Sequence, residues 1–88
     1  MDTETEQLRR AVGKAIRARR LMKDLTIKSL SRIAKVDEGY ISELELGKSN
    51  ITLNTLFKLA AGLDLDKPDE LLNDAKREVY SLMKEKGR

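Results

Sequence analysis

Apolar positions along the chain recur at helical spacing and nowhere alternate with period two, so every element they predict is a helix. Leu8, Val12, Ala15 and Ile16, and less regularly Leu21 and Met22, form a first stripe that ends near Lys23. Thr3 with Glu6 three residues on reads as a capping box at its start. Thr26 suits the N-cap of a two-turn helix with Ile27, Leu30, Ile33 and Ala34 on its apolar face. Asp37 suits the cap of a third short helix, with Ile41 and Leu44 inward and Gly47 as its stop. Thr52 opens a fourth helix that turns Leu53, Leu56, Leu59, Ala60 and Leu63 inward. Pro68 fits the first turn of a fifth, extended helix reaching to about residue 86. The pattern predicts an all-α fold of five helices in one domain, residues 1–88.

On the last helix, Leu72, Ala75, Val79 and Leu82 follow 3-4-3 spacing with Leu71 and Met83 beside them. Such a stripe serves either the protomer's own core or, over a helix of about 18 residues, a dimer seam. Leu72, Ala75, Val79, Leu82 and Met83 are therefore the dimer candidates.

Composition narrows the chemistry. The 88 residues include no Cys and no His, which removes disulfides, thiolate metal sites, the commonest metal ligand and the usual neutral general base. Asp64, Asp66, Asp69 and Glu70 cluster where acids favour a helix N-terminus anyway, and no phosphate loop or nucleophile–base pair accompanies them. The expectation is a protein that is not an enzyme and has no cofactor or metal. No apolar run is long enough to cross a membrane, and the acidic start, MDTETEQL, has no signal-peptide character, so a cytoplasmic location is expected. The basic first helix carries no Trp or Phe on its apolar face, which argues against a membrane-surface role.

The net charge of +3 conceals its layout. Residues 9–35 carry ten bases against one acid, whereas residues 37–46 carry four acids and no base. The first block suits a polyanion or a solvated helix face, and the second complicates the polyanion reading.

The informative stretch is residues 25–48, LTIKSLSRIAKVDEGYISELELGK. Two short helices separated by Lys35, Val36 and Asp37 have helix-turn-helix spacing, which lets the second helix enter the major groove while the first crosses the backbone. Together with AIRARR before this stretch and TLFKLAAGLDL and DELL after it, the sequence resembles the lambda-repressor-like, Cro/C1-type helix-turn-helix domain. Small phage repressors and restriction–modification controller proteins share that domain. The resemblance covers about residues 11–72 and implies a five-helix DNA-binding domain, here with an extended C-terminal helix over about 68–86.

The resemblance also implies roles. Arg20 and Glu45 occupy positions that form a structural ion pair, and Leu30, Ile33, Ile41 and Leu44 match core positions. The base-reading positions fall on Glu38, Gly39, Tyr40 and Glu43, with Ser42 facing the same edge. The family favours Gln, Arg, Ser or Thr there. Glutamate accepts from cytosine N4 but repels phosphate. Tyr40 either meets DNA or packs at the helix end. Ile27 replaces a Gln that commonly anchors a phosphate, and Lys35 replaces a Gly that commonly takes a left-handed conformation, at ~1 kcal/mol. Lys28, Arg32, Lys35, Lys48, Ser49, Asn50 and Thr52 are the phosphate candidates, while Arg9, Arg10 and Arg17 read as solvated charge or as partners for a neighbouring subunit.

The function these residues imply is sequence-specific recognition of double-stranded DNA by a homodimeric transcriptional regulator on a two-fold operator. With no sensor domain in the chain, a regulatory protein partner is one means of control. The alternative is a protein-interaction module on the same fold, whose acidic recognition helix docks a basic partner.

Overall fold

The computed structural model describes residues 3–87. Its elements are α1 (Thr3–Met22), α2 (Ile27–Ala34), α3 (Glu38–Glu45), α4 (Leu53–Gly62), a 3-10 helix (Pro68–Leu72), α5 (Asn73–Glu78) and α6 (Tyr80–Gly87). Three of the helix starts are set by side chains predicted to cap them. Thr26 accepts the Ser29 N–H, Asp37 the Tyr40 N–H and Thr52 the Thr55 N–H, each satisfying a donor that the first turn leaves without a helical partner. Thr3 is itself helical, so the cap of α1 falls outside the described residues.

The core is one cluster to which every helix except α6 contributes, and Ile16, Leu30, Ile41, Leu44, Leu59, Leu63 and Leu71 are fully buried in it. Two glycines set how closely the helices approach. A Cβ on Gly13 would strike the carbonyl oxygens of Leu44 and Glu45, and one on Gly62 would strike Ala34. The backbone of α1 thus lies directly on the C-terminal end of α3, and α4 lies on the end of α2. Glycine is disfavoured inside a helix by about 1 kcal/mol, and here the close approach offsets that loss.

Four apolar residues expected inside lie outside: Leu21 and Met22, where the first stripe loses its regular spacing at the end of α1, and Ile33 and Leu53. Ile33 is 55% exposed because Leu30 and Ala34, four apart, define the buried row of α2 and leave Ile33 on its flank. Leu53 is 76% exposed, since as the first residue of α4 it stands a turn beyond Leu56.

The C-terminal segment departs further from the expected single helix. It begins as a 3-10 turn at Pro68 and bends at Leu72 (φ −103°, ψ 0°) and again at Val79 (φ −113°, ψ −36°). These bends bury Leu71, Ala75 and Val79, spaced by four, in place of the predicted 3-4-3 row. Ala75 and Val79 are thereby taken up by the protomer itself, and of the remaining seam candidates Leu72 and Met83 are half-buried and Leu82 is 37% exposed. Lys86 of α6 pairs with Glu4 of α1 at 2.8 Å and ties the two ends of the chain together.

Among the described residues, three other than glycine adopt positive φ: Asp24, Lys35 and Asp64. Lys35 (φ 58°, ψ 48°) ends α2 and has no short polar side chain to support that conformation locally. Lys35→Gly is expected to raise stability by up to about 1 kcal/mol, the relief of strain exceeding the added freedom of the unfolded chain. Urea denaturation of the two proteins measures the difference, and an unchanged or lower midpoint would contradict it.

Candidate nucleic-acid interface

The helix-turn-helix is anchored from inside by one ion pair. Arg20 on α1 donates from Nε to Glu45 Oε2 at 2.7 Å and from Nη2 to Glu45 Oε1 at 2.9 Å. A third bond runs from Nη1 to the Leu25 carbonyl at 2.8 Å. Both side chains are buried, at 8% and 4% exposure. The hydrogen bonds to Glu45 hold Arg20 above its ordinary pKa; burial pulls the other way and the carboxylate's charge adds to the rise. This is a bidentate, charge-assisted contact with its remaining polarity directed at a backbone carbonyl.

Held there, α3 presents one edge outward. Glu38, Gly39 and Glu43 are exposed on it, Ser42 and Tyr40 are half-buried, and Ile41 and Leu44 face the core. Glu45 points inward, so the outward acids near this edge are Asp37, Glu38 and Glu43. Tyr40 packs against the core, and its hydroxyl donates to the Asn50 carbonyl at 2.6 Å. The packing alternative at the helix end thus describes Tyr40 in the protein alone.

The turn after α3 follows the Schellman pattern, with Gly47 at φ +74°. The Gly47 N–H bonds the Leu44 carbonyl and the Lys48 N–H bonds the Glu43 carbonyl. Beyond it, Ser49 Oγ donates to Glu43 Oε1 at 3.0 Å, and Arg9 Nε donates to Asn50 Oδ1 at 2.8 Å. Thr52 uses its hydroxyl to cap α4. Lys28 and Arg32 on α2, Lys35 in the turn and Lys48 in the loop are exposed and form no ion pair among the described residues. The structure therefore ties the loop to α3 at two neighbouring residues, Ser49 through Glu43 and Asn50 through Tyr40, while the four cations are left exposed.

Two contributors were missed by sequence reasoning. Arg9 reaches this loop from α1 across 41 residues of chain, and no local pattern announces that. Gly13 had a signal, a lone glycine inside an otherwise strongly helical run, which commonly marks a close packing position. Among the described residues no group of His, Cys, Asp or Glu is arranged to hold a metal ion, and no helix is long and apolar enough to cross a membrane.

The helix-turn-helix family model matches residues 16–69. Among solved structures, the restriction-modification controller protein C.AhdI from Aeromonas hydrophila is similar, with 32% identity over 72% of this chain and 94% of that one, at a TM-score of 0.69. The clp gene regulator ClgR from C. glutamicum is similar at 31% identity over 80% of this chain and 90% of that one, with a TM-score of 0.71. A second ClgR structure covers 91% of this chain and 84% of its own at 28% identity and a TM-score of 0.73. No curated protein gives a significant match.

Removing one partner of the buried pair leaves an uncompensated charge. Arg20→Ala is expected to cost about 3–5 kcal/mol, whereas replacing both partners together, Arg20→Met with Glu45→Leu, should cost much less. Chemical denaturation of the three proteins checks this, and equal losses in the single and double variants would contradict it.

Proposed function

The chain belongs to the helix-turn-helix family, and from that premise we propose that this DNA-binding transcriptional regulator reads a specific sequence as a homodimer on a two-fold operator. The observation that carries the reading is the exposed edge of α3, fixed through Glu45 to Arg20, with the exposed cations Lys28, Arg32 and Lys35 before it and Lys48 after it in the chain. A rigid helix with outward polar side chains enters the major groove, while cations on either side meet the phosphates that line it.

Within this reading, Glu38, Gly39, Tyr40, Ser42 and Glu43 face the bases. Tyr40 offers its ring, since its hydroxyl is bonded to the loop. Glu43 has one oxygen held by Ser49, which orients the other to accept from cytosine N4. Lys28, Arg32, Lys35 and Lys48, with Ser49, Asn50 and the Thr52 turn, contact phosphate. Four phosphate-bound cations per protomer give a log–log salt slope of about −3.6, doubled in a dimer.

One α3 reads only a few base pairs, so specificity needs a second half-site about 34 Å away on the same DNA face. A protomer of 40 × 26 × 21 Å is of the size to set two such helices that far apart across a two-fold axis. The C-terminal segment supplies the contact in this proposal. Leu72, Tyr80 and Met83, with Leu8 and Ala75, line an open apolar groove of about 250 Å³, with Leu82 exposed on α6. An isologous contact would bury the same groove on both copies.

Two measurements test these assignments. Selection of bound duplexes from random sequence should return a palindrome, and Glu43→Gln should change its preference from cytosine to adenine at one position of each half-site. An unchanged consensus would remove Glu43 from base reading, and no retention of any duplex at low salt would favour the protein-docking alternative. Leu82→Glu with Met83→Glu should give a folded monomer by sedimentation and weaken binding to a two-half-site duplex at least about tenfold. A variant that stays dimeric would place the seam elsewhere.

A further inference from the structure

Asn50 is held from two directions. Its side-chain oxygen accepts from Arg9 of α1, and its carbonyl accepts from the Tyr40 hydroxyl in the first turn of α3. Elsewhere between Gly47 and Thr52 the chain is held by the Lys48 N–H on the Glu43 carbonyl, by Ser49 on Glu43 and by Ile51 packing against the core, so the two bonds to Asn50 fix its middle. Behind Ser49, Asn50 and Ile51 lies a partly open apolar cavity of about 220 Å³, bordered by Leu8, Val12, Leu44 and Leu72. Beside this cavity packing is incomplete, and at Asn50, which is exposed, hydrogen bonds rather than side-chain packing define the position of the loop. At its start, Gly47 passes so close to α1 that a Cβ would meet Arg10. Arg9 and Arg10 are consecutive on α1, so one stretch of that helix governs both the entry to the loop and its midpoint.

We infer that Arg9 is a positioning residue for DNA binding: through Asn50 it holds the loop after the recognition helix in the register that Lys48 and Ser49 need to meet the DNA backbone. This rests on the DNA-binding reading above and extends it to a residue on α1. Losing the Arg9 bond leaves Asn50 tethered only through Tyr40, and the loop gains freedom that DNA binding must then remove. An ordering penalty of this kind lowers affinity without changing the number of phosphates neutralised. A residue that itself touched phosphate would behave differently, because its removal lowers the salt slope by about 0.9.

The test uses the full chain and the duplex recovered by selection, titrated over a range of salt concentrations, with thermal melts of each variant alongside. Arg9→Ala is expected to weaken binding about fivefold, the equivalent of one net hydrogen bond, with the salt slope unchanged and the melting temperature within a few degrees. Arg9→Lys, which retains a donor for Asn50, should recover most of the affinity. Arg9→Ala combined with Asn50→Ala should bind no more weakly than Asn50→Ala alone, because the two residues act through one bond. Unchanged affinity in Arg9→Ala, a slope reduced by about 0.9, or additive losses in the double variant would each overturn the inference. If the natural chain binds duplexes normally and only these variant results fail, the loop assignment falls alone. If the natural chain binds no duplex above the non-specific level, the assignment falls together with the DNA-binding reading.

Discussion

The contact between α1 and the C-terminal half of α3 is the constraint on which the rest of the structure depends. It has three parts: the Arg20–Glu45 pair, the backbone approach that Gly13 permits, and the packing of Ile16 and Leu44 between them. The parts differ in physical kind. Packing is non-directional and tolerates small rotations, whereas a bidentate guanidinium–carboxylate bond fixes both distance and plane. An eight-residue helix has too few hydrogen bonds to hold itself rigid in water, so its orientation comes from whatever grips it. Here the grip lies on the inward face and leaves the outward edge of α3 unobstructed.

That placement resolves part of an electrostatic difficulty. A helix that carries Glu38, Glu43 and Glu45, with Asp37 at its cap, is poorly suited to approach a polyanion. Glu45 is removed from the problem, since its charge is matched by Arg20 inside the protein. Asp37 and Glu38 sit at the helix start, where the dipole and the cap bond to Tyr40 favour negative charge. Glu43 remains, with one oxygen bonded to Ser49. The exposed cations on α2, in the turn and in the loop lie on both sides of α3 in the chain, and screening at physiological salt acts over about 8 Å. On the proposed reading, phosphates would therefore meet Lys and Arg locally rather than an average of the whole surface. In the proposed complex an acidic centre with basic flanks would favour donors over acceptors in the groove, which turns an apparent obstacle into a source of selectivity.

Much of the architecture was legible because local chemistry decided it. Thr26, Asp37 and Thr52 cap as their residue types predict, and Gly47 ends α3 at positive φ. Leu30, Ile41, Leu44 and Leu59 are buried where helical spacing puts them. The failures occur where tertiary geometry overrides a local pattern. Ile33 and Leu53 have the residue type of core positions but lie at the flank and the end of short helices, and burial depends on reach as well as spacing. The C-terminal stripe was ambiguous by four residues against three, and only the bends at Leu72 and Val79 select the row Leu71, Ala75 and Val79. The site divides in the same way. Residue types on the outward edge of α3 follow from helix register, but the bonds of Tyr40 and Arg9 to Asn50 and of Glu43 to Ser49 depend on a loop that has no periodicity to read.

The same loop shows why a domain this small keeps energetic compromises. Its chain of 88 residues buries one modest core, and three helix ends place non-glycine residues at positive φ. Two of these are Asp, which tolerates that conformation, but Lys35 costs about 1 kcal/mol from a total that is itself about 5–15 kcal/mol for a folded domain. Lysine at position 35 keeps a positive charge beside the recognition helix where glycine would relieve the backbone. If Lys35 meets phosphate as proposed above, that contact competes directly with the stability of the turn that presents it. Binding to DNA or to a second copy acts on the folded state alone and stabilises it by mass action. Under the proposed function, the complex would supply stability that the isolated protomer forgoes in order to carry that charge.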